Sequence, residues 1–121
     1  MSYPGKKDIK LFIGNTRRWR WFPKDKDGNS VVMTGMRAVF FAGPSKDDYI
    51  IRAASDDVDP KCTISGDGTY IQMAISVADS ELFPNGGTKY EVELRSADDE
   101  DQQTLAYGVI VAKQWINNSA H

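Results

Sequence analysis

Apolar residues in this chain recur at every second position in short runs, and Gly, Pro, Asn and Asp break those runs before a helical period can establish itself over roughly ten residues. Successive side chains of an extended strand point to opposite faces, so such runs bury one face and wet the other. The clearest is Thr69–Val77, where Ile71, Met73, Ile75 and Val77 alternate with Tyr70, Gln72, Ala74 and Ser76. Thr16–Phe22 sets Trp19 and Trp21 against Arg18 and Arg20 and stops at Pro23, which cannot donate to a ladder. Thr88–Arg95 sets Tyr90, Val92 and Leu94 against Lys89, Glu91, Glu93 and Arg95. Further strands are predicted over Ile9–Ile13, Val31–Met33, Met36–Ala42, Tyr49–Ala54, Lys61–Ile64 and Thr104–Ala112. One helical turn is predicted near 79–83, capped by Asp79 or Ser80 and ended by Pro84.

Seven or eight short strands with turns between them describe an all-β, antiparallel two-sheet sandwich, with a small barrel as the competing architecture. At 121 residues the chain makes a single domain, 1–121, with short flexible termini at about 1–7 and 117–121. Its core is predicted to hold Trp19, Trp21, Ile71, Met73, Ile75, Val92, Leu94 and Val109. Cys62 is the only cysteine, so no intrachain disulfide helps, and a buried, inert thiol is expected.

With 15 basic and 17 acidic side chains the net charge is −2, which gives no overall pull toward nucleic acid or anionic membranes. No apolar run nears the ~20 residues that span a bilayer, and the N-terminal residues do not read as a secretory signal, so the chain is expected in the cytoplasm where it is made. The only histidine is His121, the last residue, which leaves no base for a nucleophile. No phosphate-cradling glycine loop and no zinc spacing is present. The expectation is a protein that is not an enzyme, with no catalytic residues, no cofactor and no metal.

Asp25-Lys26-Asp27-Gly28-Asn29 opens like a calcium loop, but Ser30 and Met36 stand where its glycine and bidentate glutamate belong, so it reads as a hairpin turn. Asp56, Asp57 and Asp59, and separately Asp98, Asp99, Glu100 and Asp101, read as solvated loop charge. Arg17-Arg18-Trp19-Arg20-Trp21 is the densest basic and aromatic cluster, and strand alternation sends its tryptophans inward and its arginines outward. Stacking rings and cations then lie on different surfaces, which weakens a nucleic-acid role.

The segment from Asp79 through Leu82, Pro84, Asn85, Gly86 and Tyr90 to Leu94 is a helical turn, a glycine turn and a strand opened by a tyrosine. That tyrosine is placed to lie across a corner formed with Pro84 and Gly86, much as the tyrosine corner of immunoglobulin-like folds does. The segment also resembles the later half of small β-sandwich domains of tailed-phage virions, namely the amino-terminal domain of baseplate upper proteins and the minor-tail and collar proteins of siphophages. Gly14-Asn15-Thr16, Asp27-Gly28, Thr34-Gly35, the Leu82–Tyr90 corner and Gly108-Val109-Ile110-Val111 follow that family's order over nearly the whole chain. Asn15 stands where those domains tend to have aspartate, and the glycine-to-tyrosine spacing is longer.

The resemblance implies an immunoglobulin-like sandwich that acts as a virion tail structural protein in a collar, baseplate or minor-tail position. It would form a homo-oligomeric ring with copies of itself and attach other tail proteins, fibres or receptor-binding proteins. Arg18, Arg20 and Arg37 are expected to form a basic face that meets Asp98–Asp101 or Asp56–Asp59 of a neighbour. The alternative is a module for host glycan or peptide, with Trp115 or Tyr107 stacking on the ligand.

Overall fold

The computed structural model describes residues 5–45, 47–96 and 102–114. These form β1 (Gly5–Lys6), β2 (Ile9–Ile13), β3 (Arg17–Trp21), β4 (Arg37–Ala42), β5 (Ile51–Ala54), β6 (Cys62–Ile64), β7 (Ile71–Ile75), α1 (Val77–Ser80), β8 (Gly86–Arg95) and β9 (Gln102–Gln114). The strands make two sheets: a larger one ordered β1-β9-β8-β4-β5, with β2 also on β9, and a smaller one ordered β3-β7-β6.

β1 and β2 share one register on β9, with Gly5 opposite Ala106 and Ile9 opposite Ile110, so they are one interrupted strand. Both run parallel to β9, which corrects the wholly antiparallel expectation at this edge. Within the stretch 1–7 expected to be flexible, Gly5 and Lys6 are paired and the Lys7 N–H donates to the Tyr107 carbonyl at 2.9 Å.

The core lies between the sheets. Trp19 and Trp21 reach in from β3 and meet Phe40 of β4 and Tyr90 of β8, with ring centroids 5.6 to 6.3 Å apart. Ile71, Met73, Ile75, Val92 and Leu94 are buried with them, as the alternation requires. Val109 is not part of this core; it is half-buried and on the outer side, while Ile110 and Ala112 point inward. On an apolar strand without polar punctuation the pattern leaves the phase open, and here β8 sets it. Val92 pairs with Ala106 but Glu93 pairs with Thr104, so Leu105 is a bulge residue, and it too is buried.

No strand forms over Val31–Met33. The Met33 N–H donates instead to the Gly68 carbonyl at 2.8 Å and its side chain is fully buried. Gly68 has φ +75°, and a Cβ there would sit 2.9 Å from the Thr34 amide, so this contact requires glycine.

The helical turn starts earlier than expected. Ser76 is its cap, accepting from the Asp79 N–H at 3.1 Å, while the Asp79 carboxylate accepts from the Ser76 N–H at 3.2 Å. Asp79 is therefore the third-position partner of a capping box. Ser80 does different work: its hydroxyl donates to the Val77 carbonyl and accepts from the Gly14 N–H at 2.9 Å, fastening α1 to the end of β2.

Candidate functional site

Tyr90 ties the two sheets and the first strand together. Its buried hydroxyl accepts from the Trp21 indole N–H at 3.3 Å and donates to the Lys7 carbonyl. It is thus a mid-strand residue of β8 reaching across the sandwich, and the corner expected with Pro84 and Gly86 is not formed through it. Burial pushes the Tyr90 hydroxyl up to about 12, against the lowering effect of the Trp21 N–H. Gly108 makes room for the Lys7 carbonyl, which would lie 2.2 Å from a Cβ at that position. With its carbonyl fixed, Lys7 extends its ammonium to the Arg20 carbonyl at 2.9 Å.

That contact leads to the outer face of the smaller sheet. Arg18 and Arg20 are exposed there, opposite Ala74 and Gln72 of β7. The Arg20 Nε donates to Gln72 Oε1 at 2.9 Å, and its guanidinium lies 4.3 Å from the Tyr70 ring centroid. One step past the Trp21–Ile71 pair, Phe22 packs on Tyr70 with centroids 5.4 Å apart. Arg17 donates to the Lys10 and Arg18 carbonyls at 3.2 and 2.7 Å. A shallow 510 Å³ groove runs along Lys7, Arg17, Arg18, Arg20, Phe22 and Gln72, and an adjoining 320 Å³ cleft adds Lys6 and Lys24. No carboxylate lines either, and among the described residues none of Lys7, Arg17, Arg18 and Arg20 is in an ion pair.

The sequence placed the tryptophans inside and the arginines outside, as found. It missed that Phe22, two residues beyond Arg20, returns an aromatic ring to the cationic face and that Tyr70 meets it from the next strand.

The outer face of the larger sheet is built differently. Val39, Phe41 and Ala54 form a second buried cluster there, apart from the main core. The Arg52 and Arg95 guanidinium carbons lie 5.7 and 5.8 Å from the Phe41 ring centroid, and Tyr49 meets the same ring edge-on at 6.3 Å. Arg95 pairs with Glu93 at 2.7 Å, and the Thr104 hydroxyl donates to Glu91. Beside this cluster lies a 410 Å³ hollow lined by Lys6, Phe41, Lys89, Glu91 and Tyr107.

Arg37 belongs to this second face, in phase with Val39 and Phe41 on β4, and it pairs with Asp56 at 3.2 Å. The single basic face expected from Arg18, Arg20 and Arg37 is therefore split between opposite sides of the sandwich. Asp57 is also engaged, accepting from the Ala54 N–H at 2.9 Å, and Asp59 has a left-handed φ of +52°. Asp98, Asp99, Glu100, Asp101 and Trp115 lie outside the described residues.

Asp25, Cys62 and Asp79 have structural settings. Asp25 accepts from the Asp27 and Asn29 N–H groups at 2.9 and 3.0 Å, which makes it the organiser of a hairpin turn closed by the Lys24–Ser30 bridge. Cys62 is fully buried, and burial, with Asp57 adding to it, pushes its thiol up to about 12. Burial opposes ionisation of Asp79, but hydrogen bonds from Lys61 at 2.7 Å and from Ser76 outweigh it and hold the carboxyl below its ordinary value. Among the described residues no three His, Cys, Asp or Glu side chains are placed to share a metal ion.

No protein-family model and no curated protein matches the sequence. Similar solved structures include a chain of the ZIG-8–RIG-5 IG1–IG1 heterodimer, at TM-score 0.48 and 11% identity over 95% of this chain and 87% of that one. Another comes from work on multimeric cell-adhesive interactions of VGSC beta subunits, at TM-score 0.44 and 10% identity over 95% and 96% of the two chains. The fold itself is settled by strand order. Immunoglobulin-type sandwiches place G, F and C in one sheet, joined by C′ in the variable type, and B, E and D in the other. β9-β8-β4-β5 and β3-β7-β6 reproduce that order, with the aromatic cluster standing where antibody domains carry their inter-sheet disulfide. The chain is an immunoglobulin-like β-sandwich domain.

Proposed function

We propose that this domain is a non-catalytic structural protein of a tailed-phage virion, an adaptor in the tail, collar or baseplate that assembles with copies of itself and holds fibres or receptor-binding proteins. The observation that carries the assembly role is the outer face of the larger sheet. A surface that needed only solubility would be polar there; this one instead has Phe41 as an apolar centre, with arginine side chains over its ring and the exposed rings of Tyr49 and Tyr107 nearby. Aromatic and arginine side chains around a packed apolar centre are the composition of interface hot spots. The virion setting rests on the ordered motifs from Gly14-Asn15-Thr16 to Gly108-Val109-Ile110-Val111.

Sedimentation of the purified protein over a range of concentrations tests the assembly role. A defined oligomer is expected, and Arg52→Glu, which reverses the charge over the Phe41 ring on that face, is expected to dissolve it. A monomer at every concentration, or an oligomer indifferent to Arg52→Glu, overturns the proposal.

A further inference from the structure

The outer face of the smaller sheet lies on the other side of the sandwich from the face assigned to that assembly and carries a separate inference. We infer that the row Arg18, Arg20 and Phe22 on β3 and its extension, completed by Arg17, Lys7, Gln72 and Tyr70, binds a carboxylate-bearing acidic polysaccharide laid along the strand.

Three features lead there. The first is spacing: residues at every second position of an extended strand share a face about 7 Å apart, so two guanidinium groups and then a ring follow one another in a line. A linear ligand with charge at regular intervals meets such a line better than a compact one.

The second is how the cations are held. Arg20 is positioned by an amide oxygen and an aromatic ring, Arg17 by two backbone carbonyls, and Lys7 by a backbone carbonyl. All of these partners are neutral, so they fix geometry without cancelling charge. A guanidinium has five N–H donors; Arg20 spends one on Gln72, which leaves an outward fork of the shape that accepts a carboxylate through two parallel bonds. This concentration of positive charge sits on a chain whose net charge is −2, so it is local and not a by-product of a basic protein.

The third is the ring chemistry. Phe22 is 54% exposed and ends the cation row with an apolar plate, while the ring of Tyr70 already carries the Arg20 guanidinium and packs on Phe22. A single-stranded nucleic acid needs successive open rings on which successive bases stack, and this face offers only Phe22, because the Arg20 guanidinium lies over Tyr70. An acidic peptide carries its carboxylates on flexible side chains, apart from any flat group that could meet Phe22. A uronic acid unit carries a carboxylate and an apolar C–H face on the same ring, and it satisfies both parts of the row.

The test is titration calorimetry at ~0.1 M salt, where exposed charges more than about 10 Å apart are largely screened, using oligogalacturonate, polyglutamate and oligo-dT as probes. Oligogalacturonate is expected to bind most tightly. The double variant Arg18→Ala/Arg20→Ala is expected to weaken it at least about tenfold, since it removes the charge-assisted donors to the carboxylates. Phe22→Ala is expected to weaken oligogalacturonate several-fold and to leave polyglutamate unchanged. Thermal unfolding of each variant establishes that it is folded, and Arg18→Gln alone, at a fully outward position, repeats the test with the least structural change. Absence of oligogalacturonate binding, unchanged binding by the folded double variant, or tighter binding of oligo-dT or polyglutamate overturns the inference.

Discussion

Both outer faces of this sandwich carry arginines; on the larger sheet two of them pair with carboxylates, and on the smaller sheet none does among the described residues. On the larger sheet Arg37 pairs with Asp56, Arg95 with Glu93, and Arg52 and Arg95 both approach the Phe41 ring. On the smaller sheet Arg17 and Arg20 are positioned by carbonyls, an amide and a ring, and Arg18 stands exposed beside them. A guanidinium neutralised within its own chain stitches the fold; one positioned by neutral groups keeps its charge for something outside. Arginine occurs on both faces, and its partners distinguish them.

The larger face is where substitution should damage the fold most. Phe41 is 7% exposed and anchors the second cluster, so Phe41→Ala is expected to cost about 3 kcal/mol, in the range of buried Phe truncations, read as a lower urea midpoint at unchanged slope. Next comes the Arg95–Glu93 pair, whose side chains are only 15% and 4% exposed. Glu93→Gln would strand the arginine charge beside an uncharged partner and is expected to cost about 2 kcal/mol in the same measurement. If either change proves neutral, the view that this face is internally stitched fails.

Lys61 breaks the pattern on the smaller sheet's side, because it has a buried carboxylate partner in Asp79. Asp79→Asn removes that pair and weakens the capping box, an expected loss of about 1 kcal/mol. The effect has a pH signature whose sign follows from the direction of the shift. Asp79 titrates lower in the folded chain than its ordinary value, so its contribution is present above the unfolded carboxylate value of ~3.9 and disappears as pH falls through the folded one. Wild type should therefore lose stability below about pH 4 more steeply than Asp79→Asn. Parallel acid limbs in thermal unfolding would show that Lys61 and Asp79 contribute nothing through ionisation.

The inner face of this molecule was legible because alternation speaks directly about it: Trp19, Trp21, Ile71, Met73 and Ile75 lie where a period of two puts them. What alternation cannot carry is the identity of the neighbour. Tyr90 bonds to a carbonyl 83 residues away, and nothing in the local pattern around either residue announces it. Arg37 was in phase with Val39 and Phe41 by sequence, but which sheet received β4 decided that it would face away from Arg18 and Arg20. Val109 fell out of phase because its strand is apolar on both sides and a bulge at Leu105 resets the register. Two features did leave a readable mark: Ser76-Val77-Ala78-Asp79 has capping-box spacing, and Phe22 continues the outward series of Arg18 and Arg20 by one more step of two.

The smallest expected effect is the one that separates the two faces most cleanly. Arg18 is exposed and in no ion pair among the described residues, and Arg20 gives up a neutral hydrogen bond and a surface contact with Tyr70 when truncated. Exposed cation–ring contacts contribute about 0.5 to 1 kcal/mol, and removing like charges from one strand offsets part of that loss. Arg18→Ala is accordingly expected to shift stability by less than about 0.5 kcal/mol, with Arg20→Ala at or slightly above that. A loss from Arg18→Ala as large as that from Glu93→Gln would mean the smaller face is also stitched from within, and its charge would then be explained by folding alone. A near-zero result leaves Arg18 and Arg20 without a carboxylate partner among the described residues and with little part in stability, which is the condition an outside ligand requires.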